Sequence, residues 1–92
     1  MGSTLTPLFL GGKRSRTEII RIIISVAQNG QSAIKIMKEA HLNSKQLKLY
    51  SEKLAKLGLI EVKYVNGKRV YTTTQKGFQY LKQYDILRKF LK

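Results

Sequence analysis

The stretch LIEVKYVNGKRVYTT, residues 59–73, decides the fold. Seven residues, Leu59 to Val65, then an Asn66-Gly67 pair and six more, Lys68 to Thr73, read as a β-hairpin, because Asn-Gly is the strongest short-range signal for a two-residue turn. The turn sets the register. It pairs Ile60 with Thr73, Val62 with Tyr71 and Tyr64 with Arg69 on one face, and Glu61 with Thr72, Lys63 with Val70 and Val65 with Lys68 on the other. The first face carries the larger apolar groups, so it is expected to pack on helices.

Upstream lie two candidate helices separated by a tight break. SAIKIMKEA, residues 32–40, makes two turns with Gln31 or Ser32 as cap, and His41-Leu42-Asn43 interrupts it. A longer helix should run from Ser44 to Leu57 and stop at Gly58, with Leu47, Tyr50, Leu54 and Leu57 forming its inward face. A short helix, a three-residue turn and a longer helix form a helix-turn-helix pattern, which any small bundle can imitate. Placed directly before a hairpin, the pattern predicts a winged helix.

The flanks complete the domain. Ser15-Arg16-Thr17-Glu18 fits a capping box, so a first helix is expected over 16–28, with Asn29-Gly30 closing it. Its apolar positions cover roughly 200° of the helical wheel, more than one core contact needs. The surplus, Ile20 and Ile24, is read as a second contact surface. Thr74 is expected to cap a helix reaching the C-terminus, on which Tyr80, Tyr84, Leu87 and Leu91 step as a short heptad-like seam. The prediction is an α+β, mostly α, winged helix-turn-helix: three helices, a hairpin wing and a C-terminal dimerisation helix. It divides the chain into a flexible basic-ended arm over 1–14, the winged helix over 15–74 and the terminal helix over 75–92. Ile20, Ile24, Tyr80, Tyr84, Leu87 and Leu91 are the expected homodimer interface.

These elements together resemble the Sulfolobus 10a family of small archaeal winged-helix chromatin proteins. The carrying residues are Arg16-Thr17-Glu18-Ile19-Ile20, Ile36-Met37 with Ala40, Leu42-Asn43, Gly58-Leu59-Ile60, and Tyr71 with Thr74-Gln75-Lys76-Gly77. The likeness spans about residues 13–92. It implies a homodimer joined by an antiparallel coiled coil of the last helices, DNA binding and chromosome organisation. The Gly-Leu-Ile and Thr-x-Lys-Gly elements are shared with many winged-helix regulators.

Charge points the same way. Eighteen Lys/Arg against five Asp/Glu give +13 in 92 residues, and each of the segments 13–30, 31–58, 59–74 and 75–92 is net positive. Such a surface seeks polyanions, because every neutralised phosphate releases condensed counterions. Nucleic acid is the expected partner and an anionic membrane surface the main competitor. No apolar run approaches a transmembrane span, and the start lacks the basic region of a signal peptide, so a cytoplasmic, chromosome-associated location is expected. Cysteine is absent, and the single histidine and five carboxylates are scattered. No metal, cofactor, small-molecule ligand or catalytic group is therefore predicted, and the chain reads as a non-enzyme.

In a helix-turn-helix, the N-terminal half of the second helix enters the major groove. Lys45 and Lys48 are the leading DNA-contact candidates there, with Ser44 and Gln46 next; a merely solvated face is the plain alternative. Lys63, Lys68 and Arg69 mark the wing, although Arg69 has the option of stacking on Tyr64. Arg14 and Arg16 precede or open the first helix, as arms or as ordinary linker, and Ser32 and Lys35 open the second. His41 reads as a capping or solvent-facing residue. The wedge holds lysines rather than the Arg and Asn side chains that grip guanine and adenine in pairs of bonds, so low sequence specificity is expected. The alternatives are a sequence-specific transcriptional regulator, cellular or viral, and a winged helix that binds protein. RNA stays open, without an aromatic sheet surface to support it.

Overall fold

The computed structural model describes residues 15–91. The arm expected over 1–14, Arg14 included, lies outside the described residues, as does the side chain of Leu91. The order is α1 (Arg16–Val26), a 3-10 turn (Ala27–Asn29), β1 (Gln31–Ser32), α2 (Ala33–Ala40), α3 (Ser44–Lys56), β2 (Ile60–Val65), β3 (Lys68–Thr73) and α4 (Gln75–Leu91).

Local chemistry fixes most boundaries. Ser15 caps α1 by accepting the Glu18 N–H at 3.1 Å, and Ser32 caps α2 through the Lys35 N–H at 3.2 Å. The Glu18 carboxylate also accepts from Arg21 at 2.7 Å and from the Tyr84 hydroxyl at 3.0 Å. A complete box sits at α3: Asn43 Oδ1 accepts the Gln46 N–H at 2.8 Å, and Gln46 Oε1 accepts the Asn43 N–H at 3.0 Å. His41 ends α2 in the left-handed region, at φ 56° and ψ 50°, and turns the chain sharply into α3.

The hairpin adopts all six expected cross-strand pairs. Positive φ at both Asn66 and Gly67 gives the turn whose twist matches the strands. A third strand, β1, adds to the expected hairpin: Gln31 and Ser32 pair antiparallel with Tyr71 and Val70, making the sheet order β1-β3-β2. Two residues carry no periodic signal, so only the fold reveals them.

The core joins every helix to the base of the wing. Ile23, Ile24, Ile36, Leu54, Ile60 and Tyr71 are fully buried, with Leu47, Leu59 and Leu81 close behind. Each such side chain contributes about 1.5–3 kcal/mol by leaving water. Two expectations need correction. Ile24 is 0% exposed, so it is covered within its own chain and is not free for a second copy, while Ile20 is half-buried against the same core. Leu57 is 59% exposed. Gly58 takes a left-handed turn there, the Leu59 N–H reaches back to Leu54 O at 2.9 Å, and Leu59 occupies the inward place instead.

The exit from the wing is tightly built. Thr73 Oγ1 donates to Ile24 O at 2.5 Å, tying β3 to α1. Thr74 Oγ1 donates to Gly58 O at 2.5 Å and accepts the Gly77 N–H at 3.1 Å, the expected cap of α4. A Cβ on Gly77 would stand 2.3 Å from Leu59 O and 2.6 Å from Thr73 Cγ2. The Thr-x-Lys-Gly element thus lets the first turn of α4 lie directly against the start of the wing.

Candidate nucleic-acid interface

The outer surface of α3 is its polar side. With Leu47, Ser51 and Leu54 buried, Ser44, Lys45, Lys48, Leu49, Glu52, Lys53 and Lys56 are exposed. Ion pairs among the described residues are Arg21–Glu18, Lys35–Glu39 and Lys63–Glu61, so none of the four α3 lysines is neutralised by a carboxylate. Gln46 folds its Oε1 back onto the Asn43 N–H while its side chain stays exposed. Lys53 and Lys56 join the face, although the sequence reading stops at Lys48. Their signal is the 3.6-residue period, since Lys53 follows Leu49, and Lys56 follows Glu52, by about one turn on the outward side. A reading confined to the N-terminal half of the helix passes over them.

Two hollows bracket α3. One, of about 280 Å³, lies between α3 and the wing and is lined by Lys48, Glu52, Val62, Tyr64, Arg69 and Tyr71 among others. The other, of about 200 Å³, is lined by Arg16, Leu49, Tyr50 and Lys53. Arg16 and Arg69, distant in sequence, therefore flank the same helix from opposite sides. Arg69 extends toward the Tyr71 hydroxyl at 3.4 Å, and that contact raises its pKa above the ordinary guanidinium value, with Tyr64 adding a smaller effect.

Strand alternation separates the other wing cations from Arg69. Lys63 and Lys68 share the face of Val65 and Val70, opposite the face of Tyr64 and Arg69 that looks toward α3. Lys63 also approaches Glu61 at 3.7 Å. At α2, the Ser32 hydroxyl is engaged as a cap, and Lys35 leans toward Glu39 at 3.4 Å. Lys35 on α2 aside, the expected cations among the described residues fall into two groups: Lys45, Lys48, Arg16 and Arg69 on or beside α3, and Lys63 and Lys68 on the far face of the wing.

The seam expected on α4 is divided as well. Tyr80 packs partly against the core, where burial pushes its pKa up, and Tyr84 stacks on it in a tilted geometry at 6.3 Å. Tyr84 also lies under the Arg21 guanidinium at 5.9 Å. Both rings are therefore engaged within the chain while each stays partly exposed. Ile86, Leu87 and Phe90 remain exposed, Phe90 by 84%.

A two-helix turn, a third supporting helix and an antiparallel ribbon beside the second helix of the turn define a winged helix-turn-helix. The chain belongs to that family, whose model, described as winged helix-turn-helix, matches residues 13–92. Among solved structures it is similar to Sso10a-2, a DNA-binding protein from Sulfolobus solfataricus, with a TM-score of 0.72, 22% identity and 85% of each chain covered. It is also similar to BpsR of Bordetella bronchiseptica, whose DNA binding is regulated by 6-hydroxynicotinic acid. There the TM-score is 0.67 and the identity 17%, over 74% of this chain and 52% of that one. No curated protein matches the chain. No helix among the described residues is long and apolar enough to cross a membrane.

Proposed function

We propose that the chain binds double-stranded DNA with low sequence specificity and, as a homodimer, organises chromosomal DNA in the cytoplasm. The observation that carries this reading is the exposed face of α3, whose four lysines lack carboxylate partners and which Arg16 and Arg69 flank. A helix of this diameter fits the major groove, and ammonium groups along it suit the phosphates on either side. Lysine is a point charge without a planar fork, which favours phosphate contacts over the reading of particular bases. Lys63 and Lys68 extend the cationic surface on the far side of the wing, suited to a neighbouring stretch of backbone.

Dimerisation is supported by Ile86, Leu87 and Phe90, apolar and exposed on the last turns of α4. The proposed partner surface centres on this distal part of the helix, beyond the two tyrosines. A second reading, a regulator with a defined operator, draws support from the likeness to BpsR.

The deciding measurement is a salt-titrated binding assay on duplexes of unrelated sequence. Affinities within about tenfold of one another support the organising role, against about 10³ or more for an operator-specific regulator. Duplex affinity that hardly changes between low and moderate salt removes the DNA-binding reading altogether, since phosphate contacts release counterions.

A further inference from the structure

The outer face of α3 is not uniformly basic, and the exceptions sit at its centre. At 100° per residue, Leu49 and Glu52 lie within about 30° of the direction opposite the core residues Leu47, Tyr50, Ser51 and Leu54. They are three residues apart and so adjacent on the helix surface. Lys45 lies one turn before Leu49 on the same strip and Lys56 one turn after Glu52, while Lys48 and Lys53 flank the pair by about 70° on either side. Four lysines thus encircle one leucine and one carboxylate. Leu49 is 56% exposed, and a hollow opens beside it.

An exposed leucine by itself is ordinary on a protein surface. Its setting here is not. A surface made only to hold phosphate gains nothing from a carboxylate and an isobutyl group at its midpoint, since the first repels the backbone and the second makes no bond to it. In a helix lying in the major groove, the rim faces the two phosphate strands and the midline faces the floor, where the base edges are. The floor offers one apolar group, the C5-methyl of thymine. We infer that Leu49 is a base-reading residue that packs on thymine methyl groups, giving the protein a mild preference for A·T pairs. This inference rests on the DNA-binding reading and adds to it a direct contact with base identity.

The test changes the DNA before it changes the protein. An alternating A·T duplex is compared with the same duplex in which every thymine is replaced by deoxyuridine, which removes the methyl and leaves the hydrogen-bonding edge intact. The wild type is expected to bind the thymine duplex about fourfold more tightly per contacted methyl group. Leu49→Ala is expected to bind both duplexes equally, with the salt slope of the wild type, because no phosphate contact is lost. Equal wild-type affinity for the two duplexes overturns the inference and leaves DNA binding standing, as does a thymine preference that survives in Leu49→Ala. Failure of the wild type to bind either duplex in a salt-dependent way overturns the DNA-binding reading, and the inference falls with it.

Discussion

Helices α3 and α4 both turn an apolar side into the same core, yet they leave opposite chemistries in solvent. The outer side of α3 shows Lys45, Lys48, Lys53 and Lys56, while the distal turns of α4 show Ile86, Leu87 and Phe90. A 92-residue chain buries a limited fraction of its surface and has little stability to spare. Leaving large apolar groups in water at the end of one helix and concentrating unpaired ammonium groups on another both work against it as an isolated molecule. Each arrangement becomes favourable when a second surface arrives, apolar for α4 and anionic for α3. The two helices are held apart in role by what anchors them: α3 by Leu47 and Leu54 in the middle of the core, α4 by its first half, through Gly77, Tyr80, Leu81 and Tyr84.

The most severe way to break this arrangement is at that anchor. Gly77→Ala places a methyl against Leu59 O and Thr73 Cγ2, both fixed by the hairpin and its hydrogen bonds. The first turn of α4 must shift away from the wing, with an expected loss of about 3 kcal/mol in denaturant unfolding. For a domain of this size that is a large part of the total stability. Gly67→Ala, at a position where nothing lies within 4 Å, meets no such obstacle but is strained by its φ of 77°, and serves as a milder control.

The next effect separates the two outer faces directly. Leu87→Glu with Phe90→Glu leaves the α3 face and the core untouched and is expected to yield a monomer in sedimentation velocity. If two copies bind one duplex together, losing the second raises the dissociation constant about a hundredfold. A variant that stays dimeric places the interface elsewhere. Lys45→Ala with Lys48→Ala makes the complementary change. Dimerisation and thermal stability are expected to persist, while the fall in affinity between about 50 and about 200 mM salt shrinks about tenfold, two phosphate contacts fewer. Unchanged binding would remove α3 from the DNA-contacting surface.

How much of this is legible in the sequence differs sharply along the chain. The wing is fully readable, because a two-residue turn fixes the register and a period of two then assigns every side chain to a face; the same alternation separates Arg69 from Lys63 and Lys68. The inward face of α3 is readable up to Leu54 and misleading at Leu57, since a helical period has no knowledge of where the helix stops. The left-handed turn at Gly58 hands the inward position to Leu59. The surplus of apolar residues on α1 misleads for a different reason: counting apolar groups shows that a face needs covering, not whether the cover comes from the same chain. Here Ile24 is covered from within, and Ile86, Leu87 and Phe90 hold the uncovered surface instead. The inward roles of Glu18 and Tyr84 are invisible in the sequence because the two residues are 66 positions apart.

That last contact gives the smallest and most discriminating effect. The Tyr84 hydroxyl donates to Glu18 Oε1 at 3.0 Å, while Glu18 Oε2 accepts from Arg21 at 2.7 Å and the Arg21 guanidinium lies over the Tyr84 ring. Glu18 is the largest cause of the raised Arg21 pKa, so the carboxylate is already well matched to a cation without the phenol. Tyr84→Phe keeps the ring over Arg21 and beside Tyr80 and deletes the hydroxyl, with its hydrogen bond to the part-buried Glu18 carboxylate and its weaker effect on Arg21, which is expected to cost about 1 kcal/mol. Oligomeric state and salt slope should stay at wild-type values, since neither outer face is touched. If Tyr84→Phe instead dissociated the dimer as thoroughly as Leu87→Glu with Phe90→Glu, the hydroxyl would be serving a second copy. The division of α4 into an inner half bound to its own chain and an outer half open to another would then be wrong.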